Sequence, residues 1–103
     1  MTSVTGSFDP HAGVVQVRGA VDLATADAFL ATATGALTEL PAQTRLTLDV
    51  GAVEFIDSYG LSALIRVKRL ATELGVEVVL ANVPPNVHDL LDLGGLAGYL
   101  PTV

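Results

Sequence analysis

Cysteine is absent from this sequence of 103 residues, and so is tryptophan. Without cysteine, the chain has no disulfide bonds, no thiolate catalysis and no thiol redox sensing. Histidine is scarce as well, since His11 and His88 are the only two imidazoles. Neither belongs to a cluster of His, Asp or Glu with the spacing of metal ligands. We therefore expect no metal site.

Basic side chains are also few. Five Lys and Arg stand against eleven Asp and Glu, which gives a formal net charge of −6. A negative surface opposes nonspecific attraction to phosphate backbones. We therefore expect no nucleic-acid partner, and the charge favours a protein partner with a basic surface.

Long hydrophobic runs are missing too. Half of the residues are hydrophobic, but no apolar run approaches the ~20 residues that cross a bilayer. Residues 1–5 lack the charged and apolar regions of a signal peptide. We expect a cytoplasmic protein without membrane insertion, and the length suits a single domain over residues 1–103.

The first half of the chain predicts a β-hairpin followed by a helix. Residues 2–8 and 14–20 have the composition of strands, and Pro10 and Gly13 supply turn geometry between them. From Asp22, the predicted N-cap, apolar residues recur at helical spacing up to a proline. This predicted stripe comprises Leu23, Ala26, Phe29, Leu30, Ala33, Leu37 and Leu40, before Pro41.

The second half of the chain alternates strands with helices. Strands are indicated by alternating or β-branched residues, and helices by apolar spacing with capping residues at their ends. The predicted elements are a strand at 45–50, a loop containing Gly51, a helix after Asp57 and Ser58 that ends at Gly75, a strand at 76–81, a helix from Pro84-Pro85 to Gly94-Gly95, and a short edge strand at 99–100. In the first of these helices, Arg66 and Arg69 are expected to face solvent.

Together these elements predict an α/β fold. Strands that alternate with helices pair in parallel, whereas the opening hairpin adds an antiparallel pair. We expect a mixed sheet of four to five strands with an N-terminal hairpin and three or more helices. One rim of the sheet should gather residues 50–51 and 82–83. Asp49, beside this rim, is interpreted as a hydrogen-bonded structural carboxylate.

The segment from Phe55 to Leu61 is the most informative one, because it ends a strand and opens an amphipathic helix with Ser58 at the junction. The first turn of a helix has unpaired N–H groups and the positive end of the helix dipole, so it tolerates a phosphate. Ser58 is either a polar residue of this first turn or a phosphoacceptor. Phosphorylation adds about −1.5 to −2 charges, enough to repel an acidic partner surface or block an apolar contact.

The neighbours of Ser58 each have two interpretations. Asp57 is the predicted N-cap and also a candidate to touch a partner or orient the serine hydroxyl. Asp22 has a capping role by default, with contact to a basic partner residue as the alternative. Tyr59 either packs locally or anchors an interface. Gly60 leaves room for another chain or for a neighbouring loop.

Enzymatic interpretations have little support in the sequence. A nucleophile elbow has the pattern Gly-x-Ser-x-Gly, whereas residues 56–60 read Ile-Asp-Ser-Tyr-Gly. His88 is a lone histidine in a predicted helix without a matched partner. A nucleotide-binding site at the rim of the sheet would need the loop Gly-x-x-x-x-Gly-Lys, which this sequence does not contain. We therefore predict no catalytic residues and no cofactor.

The order of elements and several motifs resemble the STAS domain, in the stand-alone form of the bacterial anti-sigma factor antagonist. Gly19–Asp22 followed by Thr25 resembles the junction between a strand and the first helix of the family. Residues 48–61 resemble its central signature. Residues 82–87 and 93–96 resemble its closing helix region.

The resemblance implies a binding protein and not an enzyme. In its unphosphorylated form such a protein engages an anti-sigma factor that is also an ATP-dependent serine kinase, and a sigma factor is released. The kinase phosphorylates the serine directly after the motif's aspartate, here Ser58, and a separate phosphatase reverses the step. Carried over by position, Asp22, Asp57, Ser58, Tyr59 and Gly60 form the partner-binding surface.

Tyr59 departs from the family pattern, in which a small residue, often Ser or Thr, stands here. Its ring either clashes with a kinase shaped for a small residue or excludes non-cognate kinases. An alternative function of another class is a STAS subunit that acts as a scaffold without phosphorylation, for example in a lipid-transport ATPase complex. A monomer or a weak dimer is expected in either case.

Overall fold

An antiparallel hairpin opens the part of the chain that the computed structural model describes, residues 5–103. Strand β1 (Thr5–Asp9) pairs with β2 (Val14–Val21), which confirms the hairpin. The predicted strand residues 2–4 lie outside the described part. Gly13, the last residue of the turn, has a φ of 66°, a left-handed conformation that glycine adopts at little cost.

Helix α1 (Ala26–Glu39) has Thr25 as its N-cap, so the prediction of an N-cap at Asp22 is wrong. A separate turn precedes the helix, because the Thr25 hydroxyl accepts the Asp22 N–H (3.0 Å) and donates to the Ala20 carbonyl (2.7 Å). Leu23 lies in this turn and is 68% exposed. All other residues of the predicted stripe pack in or against the core. The prediction is therefore wrong for Leu23 alone.

Strand β3 (Arg45–Ile56) continues through the predicted loop at Gly51, so that prediction is wrong. Its first six residues alternate between the core and the other face as predicted. Beyond them β3 stays paired in parallel with β2, but the register shifts twice. Gly51 lies in the first irregularity, where its N–H donates to Asp49 Oδ1 (3.0 Å). Such bulges break the alternation of side chains, which explains why the segment has the pattern of a loop.

The next three elements lie close to their predicted positions: helix α2 (Ser58–Leu74), strand β4 (Glu77–Ala81) and helix α3 (Pro85–Leu93). The predicted C-cap of α2 is confirmed, since Gly75 has a left-handed φ of 74°. The expected exposure of two basic side chains of α2, Arg66 and Arg69, is also confirmed.

The C-terminal residues pair with the sheet later than predicted. The expected strand at residues 99–100 is wrong, because the Leu100 N–H donates to the Leu96 carbonyl (2.9 Å) and closes a turn. Edge pairing occurs at Thr102, which forms a parallel bridge with Leu80 of β4. The Leu80 N–H donates to the Pro101 carbonyl (2.8 Å), so the chain end covers part of this edge.

The sheet is mixed, with strand order β1-β2-β3-β4, and the predicted fold class is confirmed. The pairs β2–β3 and β3–β4 are parallel, and helices α1 and α2 pack against each other and against the sheet. Their buried side chains form one core cluster. Its largest fully buried members are Phe29, Leu37, Leu46, Leu48, Leu64, Leu80, Leu91 and Leu100.

The face of the sheet away from this core carries polar side chains in its middle strands. Gln16 and Arg18 of β2 are exposed there, next to the half-buried Asp49 of β3. Asp49 Oδ2 accepts a hydrogen bond from Asn82 Nδ2 (3.1 Å), and this bond joins β3 to the end of β4. This bond confirms that Asp49 is a hydrogen-bonded structural carboxylate. It also confirms that the segments around residues 50–51 and 82–83 meet at one rim of the sheet.

A stability test compares two leucines of the predicted stripe, the buried Leu37 and the exposed Leu23. Leu37→Ala empties a core position that is 1% exposed, and it should lower the free energy of unfolding by about 2–5 kcal/mol. Leu23→Ala, at the exposed turn, should change it by no more than about 0.5 kcal/mol. Urea denaturation measures both. Similar losses for the two variants would contradict the observed start of α1.

Candidate functional site

The candidate site is the turn at which β3 gives way to α2. Asp57 lies between them in an extended conformation and caps the helix, because the Gly60 N–H donates to its Oδ1 (3.0 Å). The predicted capping role of Asp57 is therefore confirmed. The bond pairs one of the N–H groups that the first helical turn leaves without a partner. Ser58 is the first residue of the helix proper and is exposed.

The second oxygen of Asp57 connects this turn to a different part of the chain. Its Oδ2 accepts the N–H of Leu23 (3.3 Å), in the loop that precedes α1, and the Asp57 N–H donates to the Val21 carbonyl (3.3 Å). One carboxylate thus links the start of α2 to the segment that follows β2. The link holds the turn at Ser58 and the loop before α1 in a fixed relation.

Asp22 lies in that same loop and organises it. Its Oδ1 accepts the N–H of Ala24 (3.0 Å), and the Ala26 N–H donates to its carbonyl oxygen (2.7 Å). Since Asp57 bonds to the residue directly after Asp22, the structure brings the two predicted acidic residues to one end of the molecule. Both side chains are half-buried.

Gly60 allows the two segments to come close. A β-carbon at this position would lie 2.2 Å from the Val21 carbonyl oxygen, a distance that no real side chain tolerates. Gly60 is itself buried. Of its two interpretations, the structure therefore supports close approach by a neighbouring segment of the same chain, namely the end of β2.

Large apolar side chains are exposed around Ser58. Tyr59, the next residue of α2, is 54% exposed and projects outward, as the interface interpretation requires. Phe55 near the end of β3 is 52% exposed, and Leu23 is more exposed still. Exposed aromatic and aliphatic side chains at one end of a domain are typical of a contact surface for another protein.

The sequence pattern did not identify Leu23 and Phe55 as surface residues. Leu23 matches the helical stripe, and only the turn closed by Thr25 removes it from the helix. The spacing Asp22-x-x-Thr25 is the signal for this turn, because a hydroxyl three residues after an acidic residue can bond back to its N–H. Phe55 lies at the second register shift of β3, where two successive residues, Glu54 and Phe55, are both exposed.

The structure does not bring His88 into this site. Its Nδ1 lies 3.4 Å from Asp92 Oδ2, one turn further along the same helix. Helix α3 instead approaches the site through Asn86, whose Nδ2 donates to the Glu54 carbonyl (3.2 Å). Among residues 5–103 there is no group of three or more His, Cys, Asp or Glu with the geometry of a metal site. In the same residues no helix has the length and apolarity to span a membrane.

An exposed serine at the head of the second helix of a mixed α/β domain is thus the central feature of the site. The sequence model of a family described as "Mlab, STAS domain" matches residues 4–102. The chain therefore belongs to the STAS domain family, as the resemblance of its motifs indicated. A relative from Paenibacillus polymyxa, named anti-sigma F factor antagonist, is 31% identical over 96 residues, which cover 91% of this chain and 81% of the relative.

Solved structures show the same relationship. An anti-sigma factor antagonist from Mycobacterium paratuberculosis superposes with a TM-score of 0.77 at 31% identity, over 96% of this chain and 84% of that one. The Bacillus cell fate determinant SpoIIAA in its phosphorylated form superposes with a TM-score of 0.67 at 16% identity, over 97% of this chain and 90% of that one. The second likeness concerns the fold alone.

Two glycines test the geometry of the turn. Gly60→Ala brings a methyl group against the Val21 backbone, and we expect it to lower the free energy of unfolding by about 1–3 kcal/mol. Gly35→Ala is the matched control, because a β-carbon on this residue of α1 has no neighbour within 4 Å. That substitution should stabilise the protein by about 0.5–1 kcal/mol. Changes of the same sign in urea unfolding would contradict the close approach at Gly60.

Proposed function

We propose that this protein is an anti-sigma factor antagonist that is switched off by phosphorylation of Ser58. In its unphosphorylated form it binds an anti-sigma factor with serine kinase activity, and a sigma factor is thereby released. The observation that carries the proposal is the exposed Ser58 at the start of α2, beside the Asp57 link and the outward-facing Tyr59. The names of the relatives from Paenibacillus polymyxa and Mycobacterium paratuberculosis support the same function.

The helix start suits Ser58 as a phosphoacceptor. A phosphate on Oγ lies near N–H groups of the first turn and at the positive end of a helix of 17 residues, where negative charge is favourable. The modification therefore leaves α2 intact. SpoIIAA, which has the same fold, has a phosphorylated form, and this supports the same type of regulation in this chain.

The size and hydration of the phosphate explain how phosphorylation ends the interaction. The phosphate adds about −1.5 to −2 charges next to Asp57 and close to the loop that holds Asp22. A partner surface that fits the hydroxyl of Ser58 and the exposed ring of Tyr59 loses this fit when a bulky, hydrated anion stands between them. A separate phosphatase that removes the phosphate restores binding.

The five predicted site residues divide between contact and positioning in this proposal. Ser58 and Tyr59 are exposed and contact the partner, whereas Gly60 is buried against β2. Both carboxylate oxygens of Asp57 accept backbone N–H groups. Asp57 and Gly60 therefore position the turn, and Asp22 shapes the adjoining loop. The chain is a ligand and a substrate of the kinase and not a catalyst.

The remaining parts of the proposal concern the whole molecule. It acts in the cytoplasm as a single domain over residues 1–103, as a monomer or weak dimer. The acidic composition, with a net charge of −6, suits a partner with a basic surface and opposes nucleic-acid binding.

A scaffold subunit is the second candidate function. The matching family model is described by the word Mlab and not by a sigma regulator, which favours a STAS protein of another assembly. In that role the turn at Ser58 contacts a fixed partner and is never phosphorylated. A lipid-transport ATPase complex is one such assembly.

Phosphorylation in vitro distinguishes the two functions. The purified protein is incubated with ATP and, in turn, with each anti-sigma serine kinase encoded in the same genome, and intact mass is followed by peptide mapping. We expect the wild type and Ser62→Ala to gain one phosphate, and Ser58→Ala to gain none. Ser62 is the matched control, because it is also exposed and lies one turn further along α2.

The opposite results are equally clear. Phosphate on a residue other than Ser58 would contradict the assigned acceptor. Binding without any phosphate transfer would identify a constitutive antagonist, and co-purification with transporter subunits in the absence of kinase binding would favour the scaffold.

A further inference from the structure

The face of the sheet away from the core carries two adjoining hollows. The larger has a volume of about 450 Å³, and the smaller has a volume of about 160 Å³. Gln16 of β2 and Asp49 of β3 line both of them. The two hollows therefore form one continuous depression, which we call the sheet-face trough.

The smaller hollow exists because β3 places two small residues in succession at the surface. Gly51 and Ala52 are both exposed at the first bulge of the strand, and Ala52 pairs with Arg18 of β2. Between them, these two residues supply no more than one methyl group. Space therefore remains beside the Arg18 side chain, which lines the hollow with them.

Asp49 lines the same hollow as Arg18 but does not pair with it. Its Oδ1 accepts the Gly51 N–H (3.0 Å), and its Oδ2 accepts a hydrogen bond from Asn82 Nδ2 (3.1 Å). Among residues 5–103 Arg18 takes part in no salt bridge, and the chain before them contains no Asp or Glu. Since a carboxylate oxygen can accept more than one hydrogen bond, both charged groups remain open to a third molecule.

The larger hollow adds a second carboxylate and an apolar wall. Asp9, the last residue of β1, lines it, and its Oδ1 accepts the N–H groups of His11 (3.0 Å) and Ala12 (3.4 Å). Within the described part of the chain, its Oδ2 accepts no hydrogen bond. The apolar part of the lining comes from Phe8, Ala12 and Val14.

The three charged groups follow one another along the sheet-face trough. Asp9 pairs with Val14 of β2, and Asp49 pairs with Gln16, two residues further along the same strand. Arg18 follows after another two residues. Because two residues of a strand span about 7 Å, the trough presents two acidic positions and then a basic one at intervals of about 7 Å.

This order of charges favours a ligand with the opposite order. A carboxylate fits Arg18, an ammonium group about 7 Å away fits Asp49, and a second cationic group fits Asp9. A dipeptide has the first two groups at this spacing, because two extended residues span about 7 Å. A lysine or arginine side chain on its first residue supplies the third group, and the alkyl stem packs on the apolar wall.

We propose that the sheet-face trough binds free dipeptides whose first residue is basic. The C-terminal carboxylate pairs with Arg18, the α-ammonium group with Asp49 and the basic side chain with Asp9. The larger hollow has the volume of a small-molecule site, which is about 300–1,000 Å³. The net charge of −6 favours a ligand of net positive charge. This inference does not rest on the proposed function, since none of these groups belongs to the turn at Ser58.

Titration of the full chain with the dipeptide Lys-Ala, followed by NMR spectra of the backbone amides, tests the proposal. We expect saturable shifts centred on residues 14–18 and 49–52, with a Kd below about 1 mM. Three altered peptides isolate the ligand groups. Acetyl-Lys-Ala lacks the α-ammonium group, Lys-Ala amide lacks the carboxylate, and Ala-Ala lacks the basic side chain. Each should bind at least roughly threefold more weakly than Lys-Ala.

Two substitutions assign the groups of the protein. Arg18→Gln removes the guanidinium charge and should weaken the binding of Lys-Ala roughly fivefold. Arg69→Gln is its matched control at an exposed position of α2 outside the trough, and it should change the Kd by less than about 1.5-fold. Asp9→Asn keeps an oxygen for the N–H groups of the turn. It should weaken Lys-Ala roughly threefold and leave Ala-Ala unchanged.

Several results would overturn the proposal. One is the absence of saturable shifts at about 10 mM Lys-Ala, and another is equal binding of Lys-Ala and Glu-Ala. Equal affinities of Arg18→Gln and Arg69→Gln for Lys-Ala would remove the assigned carboxylate site, as would shifts centred outside the trough. Urea denaturation of each variant distinguishes a loss of binding from a loss of folding, and the altered peptides test the same contacts on the unchanged protein.

Discussion

The Asp57 carboxylate makes the interaction on which the rest of the site depends. Its two oxygens accept N–H groups from Gly60 in α2 and from Leu23 in the loop before α1. Leu23 and Asp57 are 34 positions apart in the sequence. Because an N-cap is worth about 1 kcal/mol and this one also joins two elements, Asp57 sets both the start of the helix and the position of the neighbouring loop.

This arrangement has a consequence for regulation. Ser58 and Tyr59 project from a turn that backbone hydrogen bonds hold on one side and the Gly60 contact with β2 holds on the other. In the proposed switch, a phosphate on Ser58 changes what a partner meets at the surface and not the path of the chain. This chain thus presents a serine and an aromatic ring side by side at the start of α2.

Much of this architecture could be predicted from the sequence. The hairpin, the amphipathic helices and the cap at Asp57 follow from local periodicity and turn chemistry, and these are short-range properties. The length of β3 could not be predicted, because its second half is held by pairing with β2 through two bulges that hide the alternation. The exposure of Leu23 was missed for a similar reason, since the Thr25 hydroxyl forms a turn where the apolar pattern indicates helix.

The central claim is that the hydroxyl form of Ser58 binds the anti-sigma kinase and the phosphate form does not. Calorimetric titration of the same purified kinase with the unphosphorylated and the stoichiometrically phosphorylated protein tests this claim most directly. The account predicts that phosphorylation weakens binding by roughly tenfold or more, with the fold unchanged by circular dichroism. Equal affinity of the two forms would contradict it.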